Sequence, residues 1–70
     1  MDVGRLKGII VERGLSQRYL SEKLNLSNQS LNAKCNGRSV FRLNEIQDLS
    51  RELNLSANEV WEIFFADVIS

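Results

Sequence analysis

The sequence predicts an all-α fold, a compact bundle of five short helices, and three observations support this class. The 70-residue chain contains no proline, the residue that most strongly interrupts helices. Apolar residues recur at steps of three and four, as they do on the buried face of a helix. Three segments begin with a serine in the position of a helix N-cap, and a leucine precedes each serine.

The first helix is predicted between Asp2, as its N-cap, and Gly14, as its C-terminal stop. Its helical spacing is carried by Val3, Leu6, Ile9, Ile10 and Arg13.

Ser16, Ser27 and Ser56 predict the starts of the second, third and fifth helices. A serine at an N-cap accepts an unpaired backbone N–H, while the apolar residue before it packs against the one at the fourth helical position. Glu59 lies three residues after Ser56 and completes a capping box there.

A stripe of apolar residues predicts the fourth helix, which ends at Asn54. The stripe consists of Leu43, Ile46, Leu49 and Leu53. In the fifth helix Val60, Ile63 and Phe64 share one face.

The fifth helix is also apolar on a second arc, formed by Trp61, Phe65 and Val68. Because a 70-residue monomer has difficulty covering both faces, this arc predicts a homodimer interface. The alternative is that Trp61 covers the core against the first helix. Residues 67–70 are open to a further interpretation, an extended arm or a strand that pairs with a partner.

The composition excludes several functions. With no histidine and one cysteine, the chain lacks the ligands of a zinc site and the histidine of most hydrolase triads. No apolar run approaches the roughly 20 residues that cross a bilayer. We therefore expect a cytoplasmic protein that is not an enzyme, takes no cofactor, metal or small-molecule substrate, and has no membrane partner. Cys35 follows Leu31 by four residues, a spacing that favours a core position over a redox switch.

The zero net charge conceals an asymmetry. Residues 5–42 carry a net charge of +6, whereas residues 43–70 carry −5. This division predicts a basic end that suits a polyanion. The alternative is a chance distribution of solvated side chains.

Only Asn25, Leu26 and Ser27 separate the second helix (residues 17 to about 24) from the third (28 to about 35). A joint this short forces a helix-turn-helix corner. In such a corner the second of the two helices enters the major groove of DNA.

The third helix has an amide-rich outer face if Leu31 and Cys35 face inward. Asparagine and glutamine pair with base edges, and an alanine methyl can contact the methyl of thymine. The alternative is that these amides are merely solvated. The expected base-reading residues are Asn28, Gln29, Asn32 and Ala33.

Basic residues flank that helix. Arg38 and Arg42, with Ser39 between them, are typical of a loop that contacts phosphates, and Arg18 begins the second helix. Arg42 also occupies a position where a capping serine or threonine is expected. Tyr19 is open to either a phosphate contact or packing.

The segment from Gly14 to Gly37 reads GLSQRYLSEKLNLSNQSLNAKCNG. With LNEI at 43–46 and EVWEIFF at 59–65, it resembles the lambda-repressor-like helix-turn-helix family, the group of phage repressors, Cro and Xre proteins. It is most similar to small single-domain regulators of phages and prophages. The resemblance implies that Gln17 contacts phosphate and that Asn36 and the next loop grip the backbone. The expected phosphate-contacting residues are thus Gln17, Arg18, Ser30, Asn36, Arg38, Ser39 and Arg42.

Two positions depart from the family pattern, because Ser21 replaces a small alanine and Asn25 replaces a turn glycine. The expected organisation is one domain over residues 1–70, with the helix-turn-helix at about 16–36 and a dimerisation element at about 57–66. We expect a transcriptional regulator that binds a double-stranded DNA operator, an inverted repeat, as a homodimer. The alternative is a protein-interaction adaptor, antirepressor or antitoxin-like, that works through the acidic, apolar C-terminal end.

Overall fold

Helices form most of the chain in a computed structural model that describes residues 1–69, with side chains through Asp67. The elements are α1 (Val3–Glu12), α2 (Gln17–Lys23), α3 (Asn28–Cys35), α4 (Leu43–Leu53), α5 (Ala57–Val60), a π-helical turn (Trp61–Phe65) and α6 (Ala66–Ile69). The last three follow one another without a break, and we call them the C-terminal helix. The predicted all-α, five-helix class is confirmed, and residues 1–69 contain no strand.

The predicted N-caps all form. Asp2, Ser16, Ser27 and Ser56 each accept the backbone N–H three residues ahead, at 3.0–3.1 Å. Glu59 accepts in return from the backbone N–H of Ser56 at 2.9 Å, which closes the capping box. That hydrogen bond is the main reason why the pKa of the Glu59 carboxyl lies below its ordinary value.

The same C-terminal capping motif ends α1, α2, α3 and α4. A residue in the left-handed conformation follows each helix, and the N–H groups of that residue and the next one bond back to helix carbonyls, which is a Schellman motif. These residues are Gly14, Asn25, Gly37 and Asn54, with φ of 72°, 56°, 77° and 53°. Asn25 therefore adopts the conformation for which the family uses glycine.

Leucines of the first four helices and Ile63 of the C-terminal helix build most of the core. The fully buried side chains include Leu6, Leu20, Leu31, Leu49, Leu53, Ile63 and Cys35. Phe41 and Phe64 pack edge to face above them, with ring centroids 5.7 Å apart. Cys35 is thus a core residue, as its spacing predicted.

One expectation about helix positions, and one interpretation that the sequence left open, are wrong. Leu43 does not belong to the buried stripe of α4, because its side chain is 66% exposed. It is the first residue of the helix, so its side chain leans back beyond the helix end, where nothing covers it. Residues 67–69 are helical rather than an extended arm or a strand, and Ser70 lies outside the described residues.

The start of α1 is fastened to the C-terminal helix. The backbone N–H of Asp2 donates to the Ile63 carbonyl at 2.8 Å, within the π-helical turn. The N-terminal amino group contacts Asp67, and the Arg5 guanidinium contacts Glu62. Within the described residues, no helix is long and apolar enough to span a membrane.

Candidate nucleic-acid interface

The corner between α2 and α3 is rigidly defined. Asn25 turns the chain, and the N–H of Leu26 bonds back to the Ser21 carbonyl at 2.8 Å. Leu24 and Leu31 are buried on either side of this turn. The predicted helix-turn-helix corner is present, and α3 cannot reorient without breaking the motif.

Ser21 joins the two helices through its hydroxyl. The residue is 4% exposed, and its Oγ lies 2.8 Å from both the Arg18 carbonyl oxygen and Asn28 Oδ1. A family alanine at this position would only pack, whereas this serine also ties the first residue of α3 to α2.

The outer face of α3 carries the predicted base-reading residues. Asn28, Gln29 and Asn32 are exposed, and Ala33 is partly buried. The Gln29 amide makes no hydrogen bond to any described side chain or backbone group, so both its donor and its acceptor face solvent. The structure thus brings these four residues to one accessible helix, and contact with bases stays a prediction.

A polar network covers the second half of that face. Asn36 Nδ2 donates to the Asn32 carbonyl at 2.8 Å and also contacts Asn32 Oδ1. Lys7 Nζ, from α1, donates to Asn36 Oδ1. Arg38 Nη2 lies 3.5 Å from Asn32 Oδ1. Two of the predicted phosphate-contacting residues, Asn36 and Arg38, therefore meet a predicted base reader.

Gly37 sets the position of Arg38. Its φ of 77° disfavours other residues, and a Cβ here would lie 3.3 Å from Val3 Cγ2. The turn lets the N–H groups of Arg38 and Ser39 bond the Ala33 carbonyl, at 2.9 and 3.3 Å. The loop therefore folds back beside α3 and directs Arg38 to the amide face.

The remaining predicted phosphate contacts are spread around this face. Arg18 is exposed and lies 3.8 Å from Glu22, an ion pair of little strength at the surface. Gln17 is partly buried at the start of α2, and Ser39 is exposed. Ser30 and Arg42 line one polar groove of about 490 Å³. Within the described residues, neither Gln17 nor Arg18 forms a side-chain hydrogen bond with Arg38 or Arg42.

Sequence reasoning missed a buried ion pair between α3 and α4. Lys34 Nζ lies 2.5 Å from Glu45 Oε1, and the two residues are 7% and 6% exposed. The same Glu45 oxygen accepts the backbone N–H of Arg42 at 2.8 Å. One carboxylate thus holds both α3 and the loop residue that precedes α4.

Burial alone would raise the pKa of Glu45, but the hydrogen bonds from Lys34 and from the Arg42 backbone bring it below its ordinary value. The sequence contains a signal for this pair. Lys34 lies between Leu31 and Cys35 on the inward arc of α3, a position where an unpaired lysine would be costly.

The charge asymmetry is smaller in the folded protein than along the chain. Three cations of residues 5–42 pair with carboxylates of residues 43–70, in the pairs Arg5–Glu62, Arg13–Glu59 and Lys34–Glu45. Four others, Lys7, Lys23, Arg38 and Arg42, have no ion pair among the described residues. The effective basic surface is therefore narrower than expected and is concentrated around α3.

The predicted dimer patch is only partly free. Trp61 is 51% exposed, whereas Phe65 is partly buried against the core. Their ring centroids lie 5.9 Å apart. The side chain of Val68 lies outside the described residues.

An amide-bearing second helix, held at a short corner and flanked by unpaired cations, defines the class of DNA-binding helix-turn-helix domains. The family model described as helix-turn-helix matches residues 6–60, so the chain belongs to this family, whose members are lambda-repressor-like regulators of the Cro and repressor type. It is accordingly a regulator that binds double-stranded DNA. Comparison with curated proteins and with solved structures gives no match.

Proposed function

We propose that this protein is a sequence-specific regulator of the phage or prophage Cro and repressor kind, with α3 in the major groove. The observation that carries the proposal is the exposed amide face of α3 beside the unpaired Arg38. Asn28, Gln29 and Asn32 contact base edges, and the Ala33 methyl lies near a thymine methyl. Phosphates are bound by Arg38 and Arg42 in the loop and by Gln17 and Arg18 at the start of α2, with Ser30 and Ser39 as further contacts. Asn36, expected to be a phosphate contact, instead gives its NH₂ group to Asn32 and positions that residue.

The bound form is a homodimer on an inverted repeat. The half-exposed Trp61, with the partly buried Phe65 beside it, offers an apolar surface to a second copy related by a twofold axis, and Val68 follows on the same helix. Two copies of α3 about 34 Å apart then read two half-sites. The bound protein blocks or recruits polymerase by its position.

The test is a titration of random-sequence DNA at several salt concentrations. The logarithm of the binding constant should fall linearly with the logarithm of salt, with a slope of about −0.9 per phosphate contact and about six contacts. Replacing Arg38 and Arg42 by alanine should reduce that slope by about two per bound protomer. Arg51→Ala removes the same kind of charge from α4, and it should leave the slope unchanged.

The competing function is a protein-interaction adaptor that keeps the fold. The exposed Trp61 beside the acidic residues of the C-terminal helix favours that candidate. Binding that does not depend on salt, or no DNA binding at all, would support the adaptor and contradict the proposal.

A further inference from the structure

We propose that Asn32 reads its base pair through its amide nitrogen alone, so that α3 selects guanine rather than adenine at that position. The inference rests on the proposed function, since it concerns how the same helix discriminates between bases. It also assigns a role in specificity to Lys7, a residue of α1 that lies outside α3.

Which atom of the Asn32 amide faces inward, the oxygen or the nitrogen, follows from two groups in its network. One of them, Lys7 Nζ, can only donate a hydrogen bond, and the other, the Asn32 backbone carbonyl, can only accept one. Lys7 Nζ is a donor, so the Asn36 group facing it is the oxygen. The Asn36 nitrogen then faces Asn32, where it donates to the backbone carbonyl at 2.8 Å. That carbonyl is an acceptor only and agrees with the assignment.

The oxygen of the Asn32 side chain therefore faces inward. It receives Asn36 Nδ2, and Arg38 Nη2 lies 3.5 Å away. Turning the amide over would place its NH₂ group against two other donors. The Asn32 nitrogen has no hydrogen-bond partner within the described residues, and its residue is exposed.

This geometry changes what asparagine can recognise. An unconstrained asparagine binds adenine by donating to N7 and accepting from the N6 amino group. Because the Asn32 oxygen is turned inward against Asn36, the group that Asn32 presents outward is its NH₂. That donor suits guanine, whose N7 and O6 both accept. Opposite adenine, its NH₂ group meets the N6 amino group, donor against donor. Gln29 has no such restraint and keeps both functions of its amide.

The experiment begins with sites selected from a random DNA pool by the wild-type protein. Binding of the wild type and of Asn32→Ala to every single-base variant identifies the base pair at which Asn32→Ala loses discrimination. There the wild type should prefer guanine to adenine by about tenfold. Replacing adenine by purine, which lacks the N6 amino group, should not weaken binding.

The role of Lys7 is tested with two variants that each remove one cation. Lys7→Met releases Asn36, so the preference for guanine over adenine should fall severalfold. Lys23→Met removes a charge that lies 5.5 Å from the Tyr19 ring and does not contact Asn36, so the preference should not change.

Two results would overturn the inference while the proposed function stands. One is a preference for adenine that is lost without the N6 amino group. The other is a uniform loss of affinity in Asn32→Ala across all sequences. If the wild type selects no sequence at all, the proposed function itself fails.

Discussion

The joint between α3 and α4 differs from the other three joints of the molecule in two ways: an arginine replaces the leucine, and the serine after it caps no helix. After the left-handed residue, α1, α2 and α4 are followed by a leucine and then by the serine that caps the next helix. Those leucines, Leu15, Leu26 and Leu55, pack against the core. After Gly37 the same turn carries Arg38 in place of leucine, and Ser39 caps no helix.

This difference shows how one backbone device serves two purposes. The Schellman turn returns the chain over the helix in both cases. A leucine at the next position fixes the angle of the following helix, whereas an arginine there presents a cation beside α3. The functional loop is therefore recognisable as the place where a repeated local pattern is broken.

The two kinds of region also differ in how their charges are treated. Cations that face the acidic half of the chain are paired, most deeply at Lys34 and Glu45. The guanidinium groups of Arg38 and Arg42, in the loop, form no ion pair among residues 1–67, although the Arg42 charge acts on the Glu45 carboxylate. A cation without an ion pair can bind a phosphate without first losing a carboxylate partner. The pattern of ion pairs therefore separates cations that stabilise the fold, such as Lys34, from cations available to DNA, such as Arg38.

The largest expected effect comes from breaking the buried pair. Lys34→Met leaves the Glu45 carboxylate buried without its main partner and should lower the free energy of unfolding by about 3–5 kcal/mol, measured by urea denaturation. The double variant Lys34→Met, Glu45→Leu should recover most of that loss, because neither charge remains. A double variant as unstable as the single one would contradict this account.

The Lys34–Glu45 pair also makes the free energy of unfolding depend on pH in the acidic range. Because the pKa of Glu45 is lower in the folded protein than the unfolded value of about 4.3, its contribution is complete above that value. The contribution is lost as the pH falls through the folded pKa. The double variant should lack this component.

The comparison of joints predicts opposite results for equivalent residues. Leu26→Ala removes a partly buried side chain and should lower the free energy of unfolding by about 2–3 kcal/mol. Arg38→Ala should change it by less than about 0.5 kcal/mol while reducing the salt slope of DNA binding by about one per bound protomer. If Arg38→Ala destabilises the fold as much as Leu26→Ala, the two joints are not functionally distinct.

Much of this architecture follows from local sequence. Serine caps at positions 16, 27 and 56 fix three helix starts, because an N-cap needs only its own side chain and the next turn of backbone. The left-handed conformation of Asn25 is similarly local. The exposure of Asn28, Gln29 and Asn32 follows once Leu31 and Cys35 are assigned to the core.

Other features depend on contacts between distant segments, which the sequence does not reveal by spacing. The position of Lys34 between Leu31 and Cys35 indicates that it faces inward, but nothing near it in the sequence identifies Glu45 as its partner. Leu43 fits the apolar period of α4 but lies at the helix end, where periodicity does not report burial. The π-helical turn at Trp61–Phe65 has no compositional signature.

Base reading by the amide face predicts an effect confined to specific DNA. Gln29→Ala should weaken binding to the selected site by about 1–3 kcal/mol and binding to random DNA very little, measured by parallel titrations. Gln47→Ala, an exposed glutamine on α4, serves as the matched control. Equal losses on both DNAs would exclude base reading by Gln29.

At position 42 an arginine favours DNA binding at the expense of fold stability. An arginine side chain has no acceptor, so α4 begins without a side-chain cap. Arg42→Ser should supply one and raise the free energy of unfolding by about 0.5–1 kcal/mol. It should also reduce the salt slope by about one per bound protomer, and an unchanged slope would remove Arg42 from the phosphate contacts.

The smallest predicted change in DNA affinity concerns Tyr19. This residue of α2 contacts α4, so it lies where the basic part of the chain, residues 5–42, meets the acidic part, residues 43–70. Its hydroxyl donates to Glu52 on α4 at 2.9 Å, and this hydrogen bond, with some desolvation and the Glu52 charge, raises the pKa of Tyr19 above 10.0. Because it is the one tyrosine of the chain, absorbance of the phenolate reports it alone. Glu52→Gln should lower that pKa towards its ordinary value.

The same residue also tests where the DNA-facing surface ends. Since the Tyr19 hydroxyl donates to Glu52 on α4, Tyr19→Phe should leave DNA affinity unchanged within about 0.5 kcal/mol. A larger loss in Tyr19→Phe, with no shift of the pKa in Glu52→Gln, would mean that the hydroxyl leaves Glu52 for a phosphate. Tyr19 would then belong to the DNA-binding surface, together with Gln17 and Arg18 of α2.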